Sequence, residues 1–425
     1  MLQDHSLNSS DTPPASSICV LGAGIVGVSC ALELQRQGYQ VTLIDRSDAV
    51  VETSYGNAGV LATSSVLPMN NARLWDSIIP MLRGKSPSLR YQTSYLLRNC
   101  RWMVRFMASA TEESDRLRVA ALNSLVRQSM LLHEEWLTQA ECKQRLRKTG
   151  WLKLYRTQSS FKAANYERLL LKDVGVDMQI LNNDELQQLE PGLQQPYFRA
   201  TWIKDTASVD NPAQVTHAYR ELFITAGGKF QIADIQKVVK TAQGFLLSTA
   251  DEQFTTEKLV IALGPWSNDL LTQLGCKLPM AYERGYHQHF DSTAAEPLGR
   301  PLHDVDGSYV LTPMEQGYRL SSGVELKERD APASPDQLEA VIPNARLAYP
   351  INKPLDQPWL GRRPTLPDAL PAIGAVEQCT GLWLATGHHH IGFSTGPATG
   401  HLLAQLIQQK TPDISAEAFA PARFF

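Results

Sequence analysis

The chain has 425 residues, which is too long for one small hydrophobic core and favours about two domains. Hydrophobic residues make up 43% and charged residues 20% of the sequence, the proportions of a globular protein rather than of a disordered one. A formal net charge of -3 excludes the strongly basic balance of a nucleic-acid-binding protein, so no nucleic-acid partner is predicted.

Two further features bear on the cellular compartment. Residues 1–16 are polar and contain no apolar run of the length that a signal peptide or a membrane span requires. We interpret them as a disordered leader and predict a cytoplasmic protein. The six cysteines are scattered without CxxC spacing, which indicates reduced residues rather than a disulfide or zinc framework.

A strand, a glycine turn and a helix follow one another directly after this leader. Residues 18–21 form an apolar run typical of a buried strand, and the motif GAGIVG leads from it into a helical pattern. Gly22 allows a tight turn, Gly24 lets backbone N–H groups approach a pyrophosphate, and Gly27 brings the helix close to the strand. The order of these elements predicts a dinucleotide-binding site.

A second predicted strand, residues 39–44, ends at Asp45. This acid lies about 20 residues beyond the glycines, where a carboxylate accepts hydrogen bonds from ribose hydroxyls. Its charge would repel the 2'-phosphate of NADP. The pattern therefore favours NAD or FAD and does not choose between them.

Small and polar residues make up most of the segment TSYGNAGVL at residues 53–61. It is either a surface turn or a stretch of backbone that passes against a flat ring and hydrogen-bonds to it. The second interpretation is what a flavin would need.

A mostly helical pattern extends over residues 71–145. Within it, residues 91–107 mix apolar side chains with Arg98, Arg101 and Arg105. Such a stretch either lies on an anionic membrane surface or packs against its own domain. Peripheral contact with the inner membrane is therefore one of two open interpretations.

The pattern of strand, glycine and helix returns twice later in the chain. The first return is a predicted apolar strand at residues 258–263, which leads into Gly264. The second is a predicted strand at residues 382–386, which leads into Gly387 and is followed by a predicted helix over residues 397–408. Strands are predicted between these returns, with residues 309–312 and 318–322 as hairpin partners. The nucleotide-binding part of the chain therefore alternates with a second part.

Four segments carry a resemblance to a known family: GAGIVG with Asp45 and Arg46; TSYGNAG; VIALGPWSNDLL; and GRRPTLPDALPAIG followed by LATGHHHIGFSTGPATGHLLAQLI. On these segments the chain resembles the FAD-dependent D-amino-acid dehydrogenases and the related glycine, sarcosine and D-amino-acid oxidases. The resemblance extends from Ser17 to Gln408, which is nearly the whole chain.

The resemblance implies a fold and its division into domains. The expected fold is α/β, with a Rossmann-like FAD-binding domain interleaved with an α+β substrate domain that carries a large, mostly antiparallel sheet. The FAD-binding domain is expected to comprise residues 17–70, 205–275 and 355–425, and the substrate domain residues 71–204 and 276–354.

The resemblance also implies which residues contact FAD. The loop at residues 53–60 would run along the pyrophosphate and isoalloxazine, and the start of the last helix would stabilise negative charge on reduced flavin. The predicted cofactor-binding residues are Gly22, Gly24, Ile25, Val26, Gly27, Asp45, Arg46, Thr53, Ser54, Asn57, Ala58, Gly59, Val60, Val238, Gly264, Gly387, His388, Ile391, Gly392, Phe393 and Ser394.

On the substrate side, Arg363 matches the family's arginine that binds an amino-acid carboxylate, which a planar guanidinium does through two parallel hydrogen bonds. Its neighbour Arg362 is interpreted as a surface residue. His388, Tyr309 and Arg284 are further candidates, although Tyr309 and Arg284 are equally compatible with ordinary packing. Family members that bind FAD covalently have a cysteine close to the position of Arg363; none is there, so noncovalent FAD is predicted.

The run His388-His389-His390 departs from the GHGxxG of the family, so the residue beside the flavin is altered. Neighbouring residues of an extended segment point to opposite faces. Because no carboxylate or cysteine accompanies these histidines, no metal site is predicted.

The function expected from the resemblance is oxidation of the C–N bond of an amino acid, with D-amino acids favoured, by hydride transfer to FAD. The products would be a keto acid and ammonia, and the electrons would pass to quinone or another acceptor. The alternatives are oxidation of a secondary amine such as sarcosine, proline or hydroxyproline, a subunit of a multi-chain flavin oxidoreductase, a nucleotide-binding scaffold, and an NAD dehydrogenase.

Overall fold

A computed structural model describes residues 16–75 and 89–425 of the chain. The predicted leader, residues 1–16, lies outside the described residues except for Ser16. The α-helices are α1 (Ile25–Arg36), α2 (Thr93–Arg98), α3 (Cys100–Ala108), α4 (Glu112–Gln139), α5 (Gln158–Ala163), α6 (Asn165–Asp173), α7 (Asn183–Leu189), α8 (Pro212–Thr225), α9 (Ser267–Leu271), α10 (Asp336–Ala348) and α11 (Gly392–Ile407).

The strands alternate with these helices along the chain. They are β1 (Ser17–Leu21), β2 (Gln40–Asp45), β3 (Val60–Leu61), β4 (Leu89–Tyr91), β5 (Leu146–Arg147), β6 (Trp151–Tyr155), β7 (Met178–Leu181), β8 (Arg199–Ile203), β9 (Ala207–Val209), β10 (Lys229–Ile232), β11 (Lys237–Thr241), β12 (Gly244–Ser248), β13 (Gln253–Thr256), β14 (Lys258–Ile261), β15 (Ala281–Ser292), β16 (Leu302–Asp304), β17 (Tyr309–Met314), β18 (Gly317–Ser321), β19 (Val324–Leu326), β20 (Ile351–Pro354), β21 (Trp359–Thr365), β22 (Ala372–Ala375) and β23 (Leu382–Thr386).

A six-stranded sheet gathers strands from both ends and the middle of the chain. Its order is β10-β2-β1-β14-β23-β22, and all neighbours are parallel except β22 and β23. In β1, Ile18 and Val20 belong to one core cluster, whereas Cys19 and Leu21 belong to another. The strand is buried on both faces, which explains its continuous apolar run.

Helices cover one face of this sheet, and the three-stranded sheet β11-β12-β13 covers the other. Helices α1 and α11 pack so closely that a Cβ at Gly400 would lie 2.4 Å from the carbonyl oxygen of Ser29. Only glycine allows this approach of the two backbones. The close contact holds together two segments that lie far apart in the sequence.

The second large layer is a mostly antiparallel sheet of eleven strands within the described residues. Its central strand, β15, pairs antiparallel with β18, β19, β20 and β21. Strands β17 and β18 form the predicted hairpin. The predicted class, a parallel α/β layer with a large and mostly antiparallel sheet, agrees with these two layers.

Helix α11 begins at Gly392, five residues before the predicted start at residue 397. The sequence suggested a later start because Pro397 has no N–H to donate to the carbonyl of Phe393. That carbonyl instead lies 2.9 Å from Nε2 of His133. Burial lowers the pKa of His133 to about 4, so the ring is neutral. Because a carbonyl oxygen can only accept, Nε2 carries the proton and donates it to Phe393. A side chain from α4 thus replaces the hydrogen bond that proline removes.

The sequence around residues 232–239 predicts a single strand, whereas the structure has two, β10 and β11. The chain leaves the parallel sheet at Ile232, where the N–H of Ala233 donates to the carbonyl of Asp45 at 2.8 Å. It enters the three-stranded sheet only at Lys237. The change of sheet, which periodicity does not reveal, accounts for the difference.

The segment with mixed apolar residues and arginines forms α2 and α3. Its inner side includes Trp102, whose Nε1 donates to the carbonyl of Thr365 at 3.2 Å. Its outer side leaves Leu97 71% and Val104 66% exposed. Across the described ranges, the helices are too short or too polar to cross a bilayer.

His401 links α11 to α1 and predicts a pH-dependent stability. Its Nδ1 lies 2.8 Å from Glu33 and its Nε2 2.9 Å from Asp413. Hydrogen bonds to these carboxylates raise the pKa of His401 to about 9. Because the pKa of His401 is higher in the folded protein than its unfolded value of about 6.5, the protonated ring stabilises the fold. This stabilisation is complete at pH values below about 6.5 and disappears as the pH rises through 9.

We therefore expect His401→Gln to lower the free energy of unfolding by about 1 kcal/mol at pH 6, and by much less at pH 10. Urea denaturation at the two pH values measures the difference. His217→Gln, at an exposed position of α8, is the matched control and should change neither value. A loss for His401→Gln of the same size at both pH values would contradict this interpretation.

Candidate functional site

A cavity of about 1010 Å³ opens where the carboxyl ends of β1, β2 and β14 meet the large sheet. Its volume is at the upper end of the range of ligand sites, roughly 300–1,000 Å³. The lining includes most of the predicted site residues: Gly22, Gly24, Ile25, Val26, Asp45, Arg46, Thr53, Ser54, Asn57, Ala58, Val60, Gly264, Arg363, His388, Ile391, Gly392, Phe393 and Ser394.

The first glycine turn lies at one end of the cavity. Gly22 has a φ of +104° and Gly24 is the N-cap of α1, which has no side-chain cap. The first-turn N–H groups are therefore available for an anion, apart from that of Ile25, which donates to Ser54 Oγ at 2.9 Å. Gly27 does not line the cavity, since a Cβ there would lie 1.8 Å from the carbonyl oxygen of Gly22.

Asp45 and Arg46 lie beside this turn. One carboxylate oxygen of Asp45 accepts the N–H of Ala23 at 2.6 Å, and the other accepts the N–H of Ser47 at 3.1 Å. Further lone pairs remain for a ribose hydroxyl. The guanidinium of Arg46 lies 4.4 Å from the ring centre of Trp266, so an aromatic surface fixes its position at the cavity wall.

Val238 was predicted to contact FAD, and the structure places it outside the lining. Its side chain is buried, and its N–H donates to Oε1 of Gln273 at 3.1 Å. Gln236, two residues earlier, lines the cavity instead, in the connection between β10 and β11. The change of sheet at this point moves the accessible backbone away from Val238.

The loop at residues 53–60 is fastened to the large sheet by a buried arginine. Arg319 donates to the carbonyl oxygens of Tyr55, at 2.8 Å, and Asn57. Its Nε donates to Nε2 of His289 at 3.0 Å, so Nδ1 of His289 carries the proton that faces Asp356 at 2.5 Å. A chain of three polar side chains therefore holds the loop against the cavity.

Two other predicted glycines lie behind the lining. The carbonyl of Gly59 accepts the N–H of Val209 at 2.7 Å, which ties the loop to β9. A Cβ at Gly387 would lie 2.5 Å from Leu366. Both residues shape the backbone that carries lining residues without reaching the cavity.

The three histidines form a turn in which His389 has a φ of +37°, so the prediction that they alternate along an extended segment is wrong. His388 lines the cavity and its Nε2 lies 3.0 Å from Thr399 Oγ1. Burial lowers the pKa of His388 to about 3, so this ring is neutral.

The other two histidines contact each other. Nε2 of His389 lies 2.8 Å from the carbonyl of Ala369, which only accepts, so Nε2 carries the proton. Nδ1 of His389 then accepts from Nδ1 of His390 at 3.0 Å. Burial lowers the pKa of His389 to about 4 and that of His390 well below its ordinary value, so both rings line the cavity in the neutral form.

The histidine turn is hydrogen-bonded to the end of β21, since the N–H of His389 donates to the carbonyl of Pro364 at 2.9 Å. One face of strands β15 and β21 forms what we call the cavity floor. Because side chains alternate along a strand, every second residue faces the cavity. The cavity floor consists of the cross-strand pairs Glu283 with Arg363, Gly285 with Gly361, and His287 with Trp359.

Arg363 lies on the cavity floor with its guanidinium above Gly285. That guanidinium forms no hydrogen bond or ion pair with any residue that the structure describes. Burial lowers the pKa of Arg363, against the opposing effect of Glu283, but an arginine remains protonated. A half-buried cation that forms no hydrogen bond or ion pair within the described chain is expected to bind an anion from outside it.

Glu283 is the carboxyl group beside this cation. It is 4% exposed, and burial raises its pKa while Arg363 lowers it. The sequence-based prediction did not include Glu283, His287 or Trp359. They could have been found by taking every second residue of β21 from Arg363, together with the residues that pair with them on β15, because side chains two apart on a strand face the same side.

Tyr309 and Arg284, the other substrate-side candidates, do not reach the cavity. The hydroxyl of Tyr309 donates to Asp304 at 3.2 Å, and the ring is buried. Arg284 is fully buried on the opposite face of β15, where it lies 3.3 Å from Glu325 and donates to the carbonyl of Pro332 at 2.9 Å. Both side chains stabilise the large sheet.

Gly285 gives a direct test of the position of Arg363. A Cβ at Gly285 would lie 2.6 Å from NH2 of the Arg363 guanidinium, so Gly285→Ala should displace a flexible side-chain end and leave the backbone in place. We expect kcat/KM to fall about 10- to 100-fold, with an unchanged flavin spectrum and thermal stability. Steady-state kinetics measures this. Unchanged kcat/KM would mean that the guanidinium position does not matter for turnover.

The lining fits an FAD. An uncapped helix N-terminus with a close-approach glycine suits a pyrophosphate, Asp45 suits a ribose, and the start of α11 lies beside the small-residue loop. Residues 17–406 match the family of FAD dependent oxidoreductases, and the chain belongs to that family. FAD is therefore its cofactor, as predicted.

Individual relatives agree with this assignment. The chain is 29% identical over 423 residues to a D-amino-acid oxidase of Bradyrhizobium diazoefficiens, covering 97% of this chain and 100% of the relative. The solved glycine oxidase from Geobacillus kaustophilus matches with a TM-score of 0.74 at 19% identity, covering 97% of this chain and 100% of that one. L-proline dehydrogenase from P. horikoshii matches with a TM-score of 0.73 at 19% identity, covering 97% and 98%. The predicted family and fold are confirmed.

Proposed function

We propose that the protein oxidises the C–N bond of an α-amino acid, with D-amino acids as the favoured class, and yields a keto acid and ammonia. The similarity to a D-amino-acid oxidase supports this class of substrate. The observation that carries the proposal is Arg363, whose half-buried guanidinium lines the cavity and forms no hydrogen bond or ion pair with the described residues. A substrate carboxylate would supply the missing anion.

The residues of the chain would bind and orient the substrate. FAD, when bound, would supply the two-electron acceptor that oxidation of the C–N bond needs. Arg363 would hold the carboxylate, which leaves the α-hydrogen and the side chain with one arrangement in the cavity. The imine product then hydrolyses in water to the keto acid and ammonia, and quinone or another acceptor is proposed to reoxidise the cofactor.

The division of the chain follows from the same proposal. The segments 17–70, 205–275 and 355–425 would bind FAD, and the segments 71–204 and 276–354 would bind substrate. Strand β21, which lies within the last FAD-binding segment, pairs with β15 of the large sheet. Arg363 would therefore stand where the two parts meet.

We propose that FAD is held without a covalent bond. Each of the six cysteines lies outside the cavity lining, as far as the described residues define it. Acid precipitation should release all flavin into the supernatant. Flavin that stays with the precipitated protein would contradict the proposal.

An anaerobic screen tests the function as a whole. D- and L-amino acids, N-methyl amines and cyclic amines are added to the purified holoenzyme, and loss of the yellow flavin band and release of ammonia are measured. We expect a D-amino acid to bleach the flavin with release of ammonia. Bleaching by N-methyl or cyclic amines alone, without ammonia, would instead establish a secondary-amine oxidoreductase. Flavin that no amine bleaches would indicate a subunit inactive alone.

Peripheral membrane contact is a further part of the proposal. It is supported by the exposed side chains of Leu97 and Val104 on α2 and α3, which stand beside exposed Arg98, Arg101 and Arg105. The protein should then float with vesicles that contain anionic lipids, but not with neutral vesicles. Equal recovery with both kinds of vesicle would reject this contact.

A further inference from the structure

His287 stands on the cavity floor and has no role in the function derived so far. It is 1% exposed and lines the cavity. Neither of its ring nitrogens has a hydrogen-bond partner in the described part of the chain. An unsatisfied polar group at such a depth is costly, so a partner from outside the chain is expected.

The ring of His287 is held in position by aromatic neighbours. It stacks on Trp359 with a centroid distance of 4.7 Å and an interplanar angle of 22°, and Tyr55 lies 5.6 Å away. Trp359 is itself fixed, because its Nε1 donates to the carbonyl of Val51 at 3.0 Å. The orientation of the imidazole therefore does not depend on a hydrogen bond of its own.

The surroundings keep this imidazole neutral. Burial lowers the pKa of His287 well below its ordinary value, and Arg319, His289 and Arg363 lower it further. A polar contact with the backbone of Gly56, which does not meet the geometry of a hydrogen bond, favours the protonated form and is outweighed. A neutral imidazole has one nitrogen that accepts a hydrogen bond and one that donates.

His287 and the guanidinium of Arg363 flank the same point of the floor. Gly285, over which the guanidinium lies, and His287 are two residues apart on β15, a spacing of about 7 Å. With hydrogen bonds of about 2.9 Å on each side, one small molecule can bridge these two groups. An α-amino acid, which carries its amine and carboxylate on the same carbon, is small enough to fit between them.

We propose that His287 binds the amino group of the substrate, accepting an N–H hydrogen bond while Arg363 holds the carboxylate. The inference rests on the proposed function and names a second recognition residue within that site. The direction of the hydrogen bond matters, because an amine that donates to His287 keeps its lone pair free to form the C=N bond. His287 is thus a specificity-determining residue for amines over other α-substituted acids.

The test uses two ligands that cannot be oxidised. The first is the α-methyl analogue of the best substrate from the anaerobic screen, which has both amine and carboxylate but no α-hydrogen. The second is the same acid without the amine. Binding of each to oxidised holoenzyme is measured from the perturbation of flavin absorbance, for the wild-type protein, His287→Phe, His287→Gln and Arg363→Ala.

His287→Phe keeps the ring stacked on Trp359 and removes both nitrogens. We expect it to bind the α-methyl amino acid about tenfold more weakly than the wild type and to bind the deaminated acid equally well. His287→Gln, which restores an acceptor and a donor, should recover most of the loss. Arg363→Ala should weaken both ligands. His287→Leu replaces His287→Phe if the latter loses flavin.

Two results would overturn the inference: unchanged binding of the α-methyl amino acid by His287→Phe, or an equal loss for both ligands. In either case the wild-type protein still turns over amino acids, so the proposed function stands. A wild-type protein whose flavin no amino acid reduces would instead defeat the proposed function, and the inference with it.

Discussion

Replacing Arg363 with alanine should lower kcat/KM for α-amino acids by about 1,000-fold, which corresponds to roughly 4 kcal/mol of lost transition-state binding. The reason is that the guanidinium lies in the cavity and forms no hydrogen bond or ion pair with the described residues, so a bound carboxylate would depend on it for charge neutralisation. Steady-state kinetics with the best substrate measures the effect. A flavin spectrum like that of the wild type should show that the cofactor site is intact.

Arg362 is the matched control for this experiment. It is adjacent in the sequence, but its Nε donates to the carbonyl of Arg329 at 2.9 Å, and its side chain lies 3.9 Å from Glu52. Arg362→Ala should change kcat/KM less than about threefold, since partly exposed ion pairs contribute little. Arg363→Lys keeps the charge and loses the two-pronged geometry, so it should fall between the two. Equal losses for both alanine variants would contradict a specific role for Arg363.

Gly27→Ala should abolish FAD binding and lower the free energy of unfolding by about 3 kcal/mol. The added Cβ would lie 1.8 Å from the carbonyl oxygen of Gly22, an overlap that no side-chain rotation relieves. Helix α1 would have to move away from β1 and take the glycine turn with it. The ratio of flavin to protein absorbance, together with thermal unfolding, measures both effects.

Gly38 provides the control within the same strand, helix and strand unit. It has a φ of +87°, but a Cβ there would meet no atom within 4 Å. Gly38→Ala should cost only the backbone strain of about 1 kcal/mol, and the protein should stay yellow. A Gly27→Ala protein that retains stoichiometric FAD would show that the close approach of helix and strand is not required.

Local chemistry predicted much of this fold because each junction has its own physical signal. The apolar run at residues 18–21, the glycines after it and Asp45 at the end of β2 describe one nucleotide-binding unit. The returns at residues 258–263 and 382–386 have the same order of strand and glycine, and in the structure they lie in the same parallel sheet as β1. Repeated local patterns therefore indicated which distant segments return to the nucleotide-binding part, although they did not predict which strands pair.

The substrate side was harder to predict, and two of its misses are of one kind. Arg284 was predicted to face the cavity, but its neighbours Glu283 and Gly285 do so instead. Tyr309 was predicted to face it, but the next residue, Val310, does so instead. A strand turns its side chains alternately to opposite faces, so an error of one position exchanges the buried face for the lining face. The pairing of β15 with β21, which decides the face, involves residues far apart in sequence.

The histidine turn could not be predicted for a different reason. A positive φ at His389 is unusual for a residue other than glycine, and the contacts to Ala369 and Thr399 that accompany the turn come from other elements. Periodicity describes regular strands and helices, whereas this turn depends on its tertiary neighbours.

The position of Arg363 relative to bound FAD and a substrate analogue is the most direct test of these conclusions. A crystal structure of the yellow protein with the α-methyl analogue of its best substrate should show the isoalloxazine beside the loop at residues 53–60. The carboxylate of the analogue should lie on the Arg363 guanidinium, above Gly285. A carboxylate bound elsewhere, with Arg363 remote from the isoalloxazine, would contradict them.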